Sequence, residues 1–444
     1  MIRNLLFFAT MGGLLPLAVL RPFAGVLLWS WISFMNPHRE IWGPVANLPW
    51  AAMVLGGTLL GCIVAREPRR LPMNAVTVLL MLLMVIFTLT TMAGLADPTE
   101  AWAKWELTMK VLIVLLLTAA LLTDRHRIDA LIWLMVLALG YYGVRGGIFT
   151  ILTGGSFRVL GPEATVIADN NHIGTALLVT LPLMNYLRLQ ARHRIIRWGL
   201  AAAMLLTLFA VVGTYSRGAF LALGAVTLLL WWRSHRKIIG GAVIVACVAG
   251  AVLFMPPAWM ARMNSIETYE EDASATTRLR LWEASFLLAV DRPLVGSGFR
   301  GPYTQSAVDR VMPGGPARAV HSIWFETLGE HGFPGFLAWL GLTVAGAWYA
   351  FRLGRLGRDH PGLAWAGELG RMASISIVAY CAGGTFLSLG YWDFYWTLLV
   401  VLAASHAVAL RSLPQTSAVA RSVQGWRSAA LPDGVLARAG RARA

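Results

Sequence analysis

Charge is what this sequence has least of: only 13% of its 444 residues are Asp, Glu, Lys or Arg, against about 25% in an ordinary soluble domain. A chain so short of charge, and 57% hydrophobic, cannot cover a water-facing surface, so lipid must be its main solvent. Alternation of polar and apolar residues is missing as well. Runs such as Val78–Phe87 and Val111–Leu122 are nearly unbroken, which excludes a transmembrane barrel and leaves α-helices, the other backbone that satisfies its own hydrogen bonds in hydrocarbon. Cysteine is scarce: Cys62, Cys247 and Cys381 lie far apart inside apolar runs, without the spacing of a disulfide framework or metal centre, and read as small buried side chains. Neither a metal nor a cofactor is expected. Acidic residues are outnumbered, 22 against 37 basic, for a formal charge of +15. In a soluble protein that excess would suggest nucleic acid, but in a membrane protein basic residues gather in cytoplasmic loops, and no nucleic-acid role is needed.

What is present is a succession of apolar runs of roughly 15–22 residues, the length of a bilayer-crossing helix. They fall near 4–20, 22–35, 45–64, 73–93, 107–122, 128–145, 166–187, 195–213, 218–232, 238–255, 333–351, 371–390 and 394–411. Only Arg21-Pro22 separates the first two, which form a hairpin or one broken helix. The expected fold is therefore all-α, a polytopic integral membrane protein of twelve or thirteen transmembrane helices. Every second connection is basic: Arg66/Arg69/Arg70, Arg125/Arg127, Arg188/Arg192/Arg194/Arg197, Arg233/Arg236/Lys237, Arg352/Arg355/Arg358/Arg371 and the tail arginines from Arg411 to Arg443. The positive-inside rule makes this set, and the C-terminus, cytoplasmic. The other set then faces out, and it contains the one long connection, 256–332, whose stretch Ser274–Val290 has helical apolar spacing. The domain reading is N-terminal transmembrane helices over 1–255, a partly helical periplasmic loop carrying the chemistry over 256–332, C-terminal helices over 333–411, and a basic, disordered cytoplasmic tail over 412–444. The N-terminus lacks a signal-peptide cleavage site. No internal repeat is visible, which argues against a transporter built from two halves.

Arg217, in Gly213-Thr-Tyr-Ser-Arg-Gly-Ala-Phe220, links two spans with too few residues to leave the membrane surface. A charge held there either snorkels to the interface or faces a wet cavity. Further along come Thr277-Arg278-Leu-Arg280-Leu-Trp282, then Arg292-Pro-Leu-Val-Gly-Ser-Gly298, then Ala319-Val-His321-Ser-Ile-Trp-Phe-Glu326-Thr-Leu-Gly-Glu330-His-Gly332. In this order the motifs resemble the O-antigen ligase and polymerase family, with its Ser-Arg-Gly turn, Arg-x-x-x-Trp helix, Pro-Leu-x-Gly-x-Gly turn and histidine followed by two glutamates at a helix start. The resemblance runs over roughly 165–345 and takes in Asp169-Asn-Asn171-His172 and Leu181-Pro182. Ser322 departs from it, since the family usually has Asn after the histidine. The stretch Arg21–Arg39 resembles a narrower branch, the exosortase-system-associated O-glycosylation ligases.

The resemblance implies a glycan ligase in a bacterial inner membrane, working on the periplasmic side. It would transfer a preassembled saccharide en bloc, with inversion and without metal, from a polyprenyl pyrophosphate donor to a hydroxyl of lipid A core sugar or of a protein Ser/Thr. Its partners would be that lipid-linked donor, the acceptor and membrane lipids. His321 would act as base, with Arg217 and Arg278 on the pyrophosphate. The chemistry suits these residue types independently. Guanidinium binds phosphate oxygens bidentately and never deprotonates, fixed cations stabilise charge building on a leaving group, and an acceptor hydroxyl needs a base. A helix N-terminus beyond His321 should hold its imidazole neutral. Arg280, Arg300, Asn171 and His172 are candidates to line the cavity. Glu326 and Glu330 would orient the histidine, cap arginines or anchor the loop. Asp393, among the aromatics of Tyr391–Trp396, would contact sugar or an arginine, the aromatics themselves being interfacial anchors. Gly296-Ser-Gly298-Phe-Arg-Gly301 has the letters of a dinucleotide motif without its βαβ setting; a tight turn bringing backbone near the pyrophosphate is the expectation. Two rivals stand beside this reading: an O-antigen or exopolysaccharide polymerase, which would use a second lipid-linked glycan as acceptor, and a lipid-linked saccharide flippase, which would keep its activity without His321.

Overall fold

The computed structural model describes residues 2–41, 43, 46, 48–233, 237–264 and 273–413. Among them the chain is all-helical: α1 (Ile2–Leu20), α2 (Pro22–Met35), α3 (Trp50–Val64), α4 (Ala75–Met92), α5 (Pro98–Leu121), α6 (Arg125–Leu152), α7 (Asn170–Gln190), α8 (Arg194–Gly213), α9 (Arg217–Arg233), α10 (Lys237–Phe254), α11 (Pro257–Asn264), α12 (Ala273–Asp291), α13 (Gln305–Val308), α14 (Ile323–Asp359), α15 (Ala364–Gly384) and α16 (Asp393–Arg411). Each apolar run of the sequence falls largely on one of these helices, although the run at 371–390 continues past the end of α15. Six of the described helices, α1, α4, α6, α8, α14 and α16, are long and apolar enough to cross a membrane, and α2, α3 and α9 add shorter apolar ones. The protein is a polytopic membrane protein. The tail expected to be disordered lies, from residue 414, outside the described residues.

Helix ends depart from the apolar runs where a cap or a kink decides. Asp97 accepts from the backbone of Thr99 and Glu100, and Pro98 occupies the first helical position, so α5 starts well before the run at 107. Asn74 and Thr77 form a reciprocal capping box on α4. At the other extreme α14 begins at Ile323, ten residues ahead of the run at 333, and kinks at Gly332.

The first two runs are a hairpin and not one broken helix, because Phe7 of α1 packs on Trp31 of α2 with ring centroids 6.1 Å apart. Elsewhere, helices approach through small residues, the way apolar helices gain close contact in lipid. A Cβ on Gly147 of α6 would lie 2.0 Å from the Leu206 carbonyl of α8. The Ser376 hydroxyl of α15 donates to the Val179 carbonyl of α7 at 2.7 Å. α7 and α16 are the most enclosed helices, whereas Ile63, Val85, Leu205 and Leu337 face outward, as lipid-facing side chains would. The long connection holds α11, α12 and α13, and α12 lies along the first turns of α14, where a Cβ on Gly329 would come within 3.0 Å of Ser285.

Candidate active site

α12 brings the first arginine to the histidine. Arg278 and Trp282 stand one turn apart, hence on one face of the helix. The Trp282 indole N–H donates to the Val320 carbonyl at 3.0 Å. Its ring stacks on Phe325 at 5.3 Å, with 11° between planes, and tilts against Phe386 at 6.2 Å. The tryptophan thus pins α12 to both sides of His321. Arg280, two residues on from Arg278, is roughly 200° round the helix and lies exposed on the far side.

His321 sits just ahead of α14 in the left-handed region, with φ of 53°, a conformation histidine tolerates better than most residues but which marks a constrained position. Its backbone N–H donates to the Ser388 hydroxyl at 3.0 Å. The imidazole Nδ1 is buried without a hydrogen-bond partner, as is the hydroxyl of Ser322 next to it. Burial first, then the positive charge of Arg278, lower the imidazole from 6.5 to about 4; His172 and Arg318 push the same way and Asp169 opposes. The neutral form expected from a helix terminus therefore has another cause, desolvation and a neighbouring guanidinium.

The Ser-Arg-Gly turn closes the other side. The Ser216 hydroxyl accepts from the Ala219 backbone at 3.0 Å, capping α9, and donates to Asn171 Oδ1 at 2.8 Å. The Asn170 amide donates to the Thr214 carbonyl at 2.8 Å. A Cβ on Gly218 would lie 3.5 Å from Phe386, so the turn bearing Arg217 shares Phe386 with Trp282. Asp169 caps α7, accepting from the backbone of Asn171 and His172 at 2.8 and 2.9 Å and from His172 Nδ1 at 2.7 Å. Although burial works to raise the Asp169 carboxyl, the hydrogen bonds and charge of His172 hold it well below the usual carboxylate range. The structure accordingly links the α12 turn bearing Arg278, the residues flanking His321, the Arg217 turn and the start of α7 with Asn171 and His172 through Trp282, Phe386 and Ser216.

The remaining candidates lie in other contacts. Glu326 and Glu330, 3% and 1% exposed, form a buried network with the loop after α12. Glu330 accepts from the Arg300 backbone N–H at 2.8 Å and the Tyr391 hydroxyl at 2.5 Å, and Glu326 accepts from the Tyr303 hydroxyl at 2.6 Å. Of the roles open to these glutamates, loop anchoring is the one this geometry supports. Arg300 itself stacks over Tyr303, 4.8 Å from the ring centroid. The glycine turn is tight but does not offer its backbone to a ligand: the N–H groups of Ser297 and Gly298 donate to the carbonyls of Gly329 and Glu330 at 2.9 and 2.7 Å. Asp393 begins α16 and accepts from the Ser33 hydroxyl and the Phe394 backbone, tying α2 to α16. The aromatics around it are core and not interfacial anchors, since Trp392, Phe394, Tyr395 and Trp396 are all buried and Tyr395 stacks on Tyr380 at 3.5 Å. Among the described residues no three His, Cys, Asp or Glu side chains converge as metal ligands would. Ser388 and Phe386 were not singled out in the sequence; a serine and a phenylalanine in a short connection carry no signal until the fold sets Ser388 on the His321 backbone and Phe386 against Trp282.

A bundle of apolar helices with arginine, histidine and amide side chains set around the contacts of α12, α7 and the start of α9 defines a polytopic membrane protein with a polar site among its helices. Residues 202–340, which contain Arg217, Arg278 and His321, match the family model described as O-Antigen ligase, so this region of the chain is similar to that family. That match supports a membrane protein of the glycan ligase or polymerase class. Residues 2–192 match a second model, described as a family of unknown function (DUF5935), so the Asn-rich segment at 169–172 lies in this second match, outside the ligase one. No curated protein sequence matches the chain.

Proposed function

We propose that the protein transfers a preassembled saccharide en bloc from a polyprenyl pyrophosphate to an acceptor hydroxyl at the periplasmic face of a bacterial inner membrane, the C-terminus and the basic connections lying in the cytoplasm. The observation that carries the reading is the Trp282 bridge, which sets Arg278 one helical turn from the residues flanking His321. In this reaction the acceptor O–H proton goes to His321 and the acceptor oxygen bonds to the anomeric carbon. The glycosidic C–O pair leaves with the pyrophosphate, whose oxygens Arg217 and Arg278 bind, and configuration inverts. Cations fixed where negative charge accumulates need no reorganisation as the bond breaks. Binding of the donor also acts on the base: pyrophosphate charge opposes that of Arg278, one of the causes of the low imidazole value, so His321 becomes more basic when the donor is in place. The segment 256–332 is on this account the substrate-covering loop, with Glu326 and Glu330 holding its inner end.

The test is transfer by purified protein from a defined polyprenyl pyrophosphate glycan to candidate acceptors, without added nucleotide sugar. Wild type should form product and His321→Ala none. A lengthened lipid-linked glycan would identify a polymerase, and full transfer by His321→Ala would overturn the reading.

A further inference from the structure

The Asn-rich segment does more than cap α7. Asp169 is half exposed and His172 is 15% exposed in the side chain, and Asp169 Oδ1 takes the hydrogen of His172 Nδ1 at 2.7 Å. An ionised carboxylate only accepts, so the hydrogen lies on Nδ1 and the lone pair on Nε2, which makes no hydrogen bond to the described residues. A carboxylate that fixes a histidine tautomer and steadies its cationic form is the arrangement of a general base and its orienting acid. The pair is held against the site by Asn171–Ser216 and Asn170–Thr214, and its charges are felt at His321.

Resting on the glycan-ligase reading, we propose that the Asp169–His172 pair is the proton exit of the transfer reaction, taking the acceptor's proton on from His321. The acceptor O–H bond breaks with its proton on His321, the proton passes to His172 Nε2, and the resulting imidazolium, paired with Asp169, releases it to water at the exposed rim. His321, desolvated and beside Arg278, keeps a proton poorly; His172 has a carboxylate partner and an open side. The other charged groups around the relay are Arg318, Arg217 at the start of α9, and Arg158, whose guanidinium lies 5.8 Å from the ring centroid of Tyr215 in the same turn. No charge other than Asp169 is in hydrogen-bonding contact with His172 among the described residues.

The capping role and the relay role separate cleanly in Asp169→Asn, because asparagine caps a helix as well as aspartate does but cannot stabilise an imidazolium. In detergent or nanodiscs, Asp169→Asn and His172→Gln should fold as wild type and bind donor with unchanged KM. Their kcat should fall about ten- to hundred-fold, at or below the range removed with a general acid or base. Added imidazole should restore part of the rate of His172→Gln, a rescue that a purely structural role would not show. Wild-type kcat in both variants, or a slowed His172→Gln that imidazole does not rescue, with His321→Ala inactive, would leave the pair a helix cap and overturn the proposal alone. Transfer by His321→Ala would instead remove the reading on which it rests.

Discussion

Replacing Trp282 by phenylalanine deletes one hydrogen bond and keeps most of the ring stacking, which makes it a clean test of whether α12 must be aligned with His321. The indole N–H reaches the Val320 carbonyl at 3.0 Å, and Val320 is fully buried. A buried carbonyl left without its donor costs about 1–3 kcal/mol, whereas stacking on Phe325, itself worth about 0.5–1.5 kcal/mol, survives. If that loss falls on the aligned state and not on folding as a whole, kcat should drop roughly fivefold to a hundredfold, at about 1.36 kcal/mol per decade. Initial rates over a range of donor concentrations, with thermal unfolding in the same detergent, separate the two cases. The expected result is a lower kcat with KM nearly unchanged and a small shift in Tm. Wild-type kcat in Trp282→Phe would show that the bridge does not position the reacting groups and would refute the reasoning.

Two further outcomes follow from the same geometry. With His321 lowered to about 4, the acidic limb of kcat/KM should lie near pH 4 and not near 6.5; Arg278→Gln removes a cationic neighbour and should move the limb upward. The corresponding stability contribution has a definite sign: a histidine whose folded value is depressed adds stability above about pH 6.5 that is lost as pH falls toward 4, measurable as a falling Tm over that window. Gly332→Ala should lower Tm by the equivalent of about 1–3 kcal/mol or more. There φ is 64° and ψ −170°, and a Cβ would lie 2.6 Å from the Pro293 carbonyl; an unchanged Tm would mean that the α14 kink can relax.

The helical fold was legible because hydrocarbon leaves the backbone no alternative, so each apolar run became a helix. What hydropathy does not distinguish is lipid from protein as the apolar partner, and for that reason the aromatics of Tyr391–Trp396 looked interfacial although α16 is central. Helix ends needed side-chain chemistry, as at Asp97-Pro98 and Asp169. In the site, motif order pointed to Arg217, Arg278 and His321. The mutual arrangement depended on contacts made far along the chain: Trp282 with Val320, Ser216 with Asn171, His321 with Ser388. Proximity in sequence misled where the helical period decides, since Arg280 shares a motif with Arg278 but not a face. At Arg300, Glu326 and Glu330, backbone and carboxylate groups hold the loop after α12 to the first turns of α14, the anchoring role that was among those open to the two glutamates. The low basicity of His321 was expected from a helix terminus; the causes found, burial and the charge of Arg278, exist only in the tertiary structure.

The central claim is that two guanidinium groups hold the leaving pyrophosphate while a neutral imidazole serves the acceptor. Equilibrium binding of the sugar-free product, polyprenyl pyrophosphate, to the purified protein tests it most directly. Arg217→Gln and Arg278→Gln should each weaken that affinity tenfold or more, in line with about 1.5–3 kcal/mol for hydrogen bonds to charged groups, and His321→Ala should bind as wild type while failing to transfer. Equal affinity in wild type and both arginine variants would contradict the account.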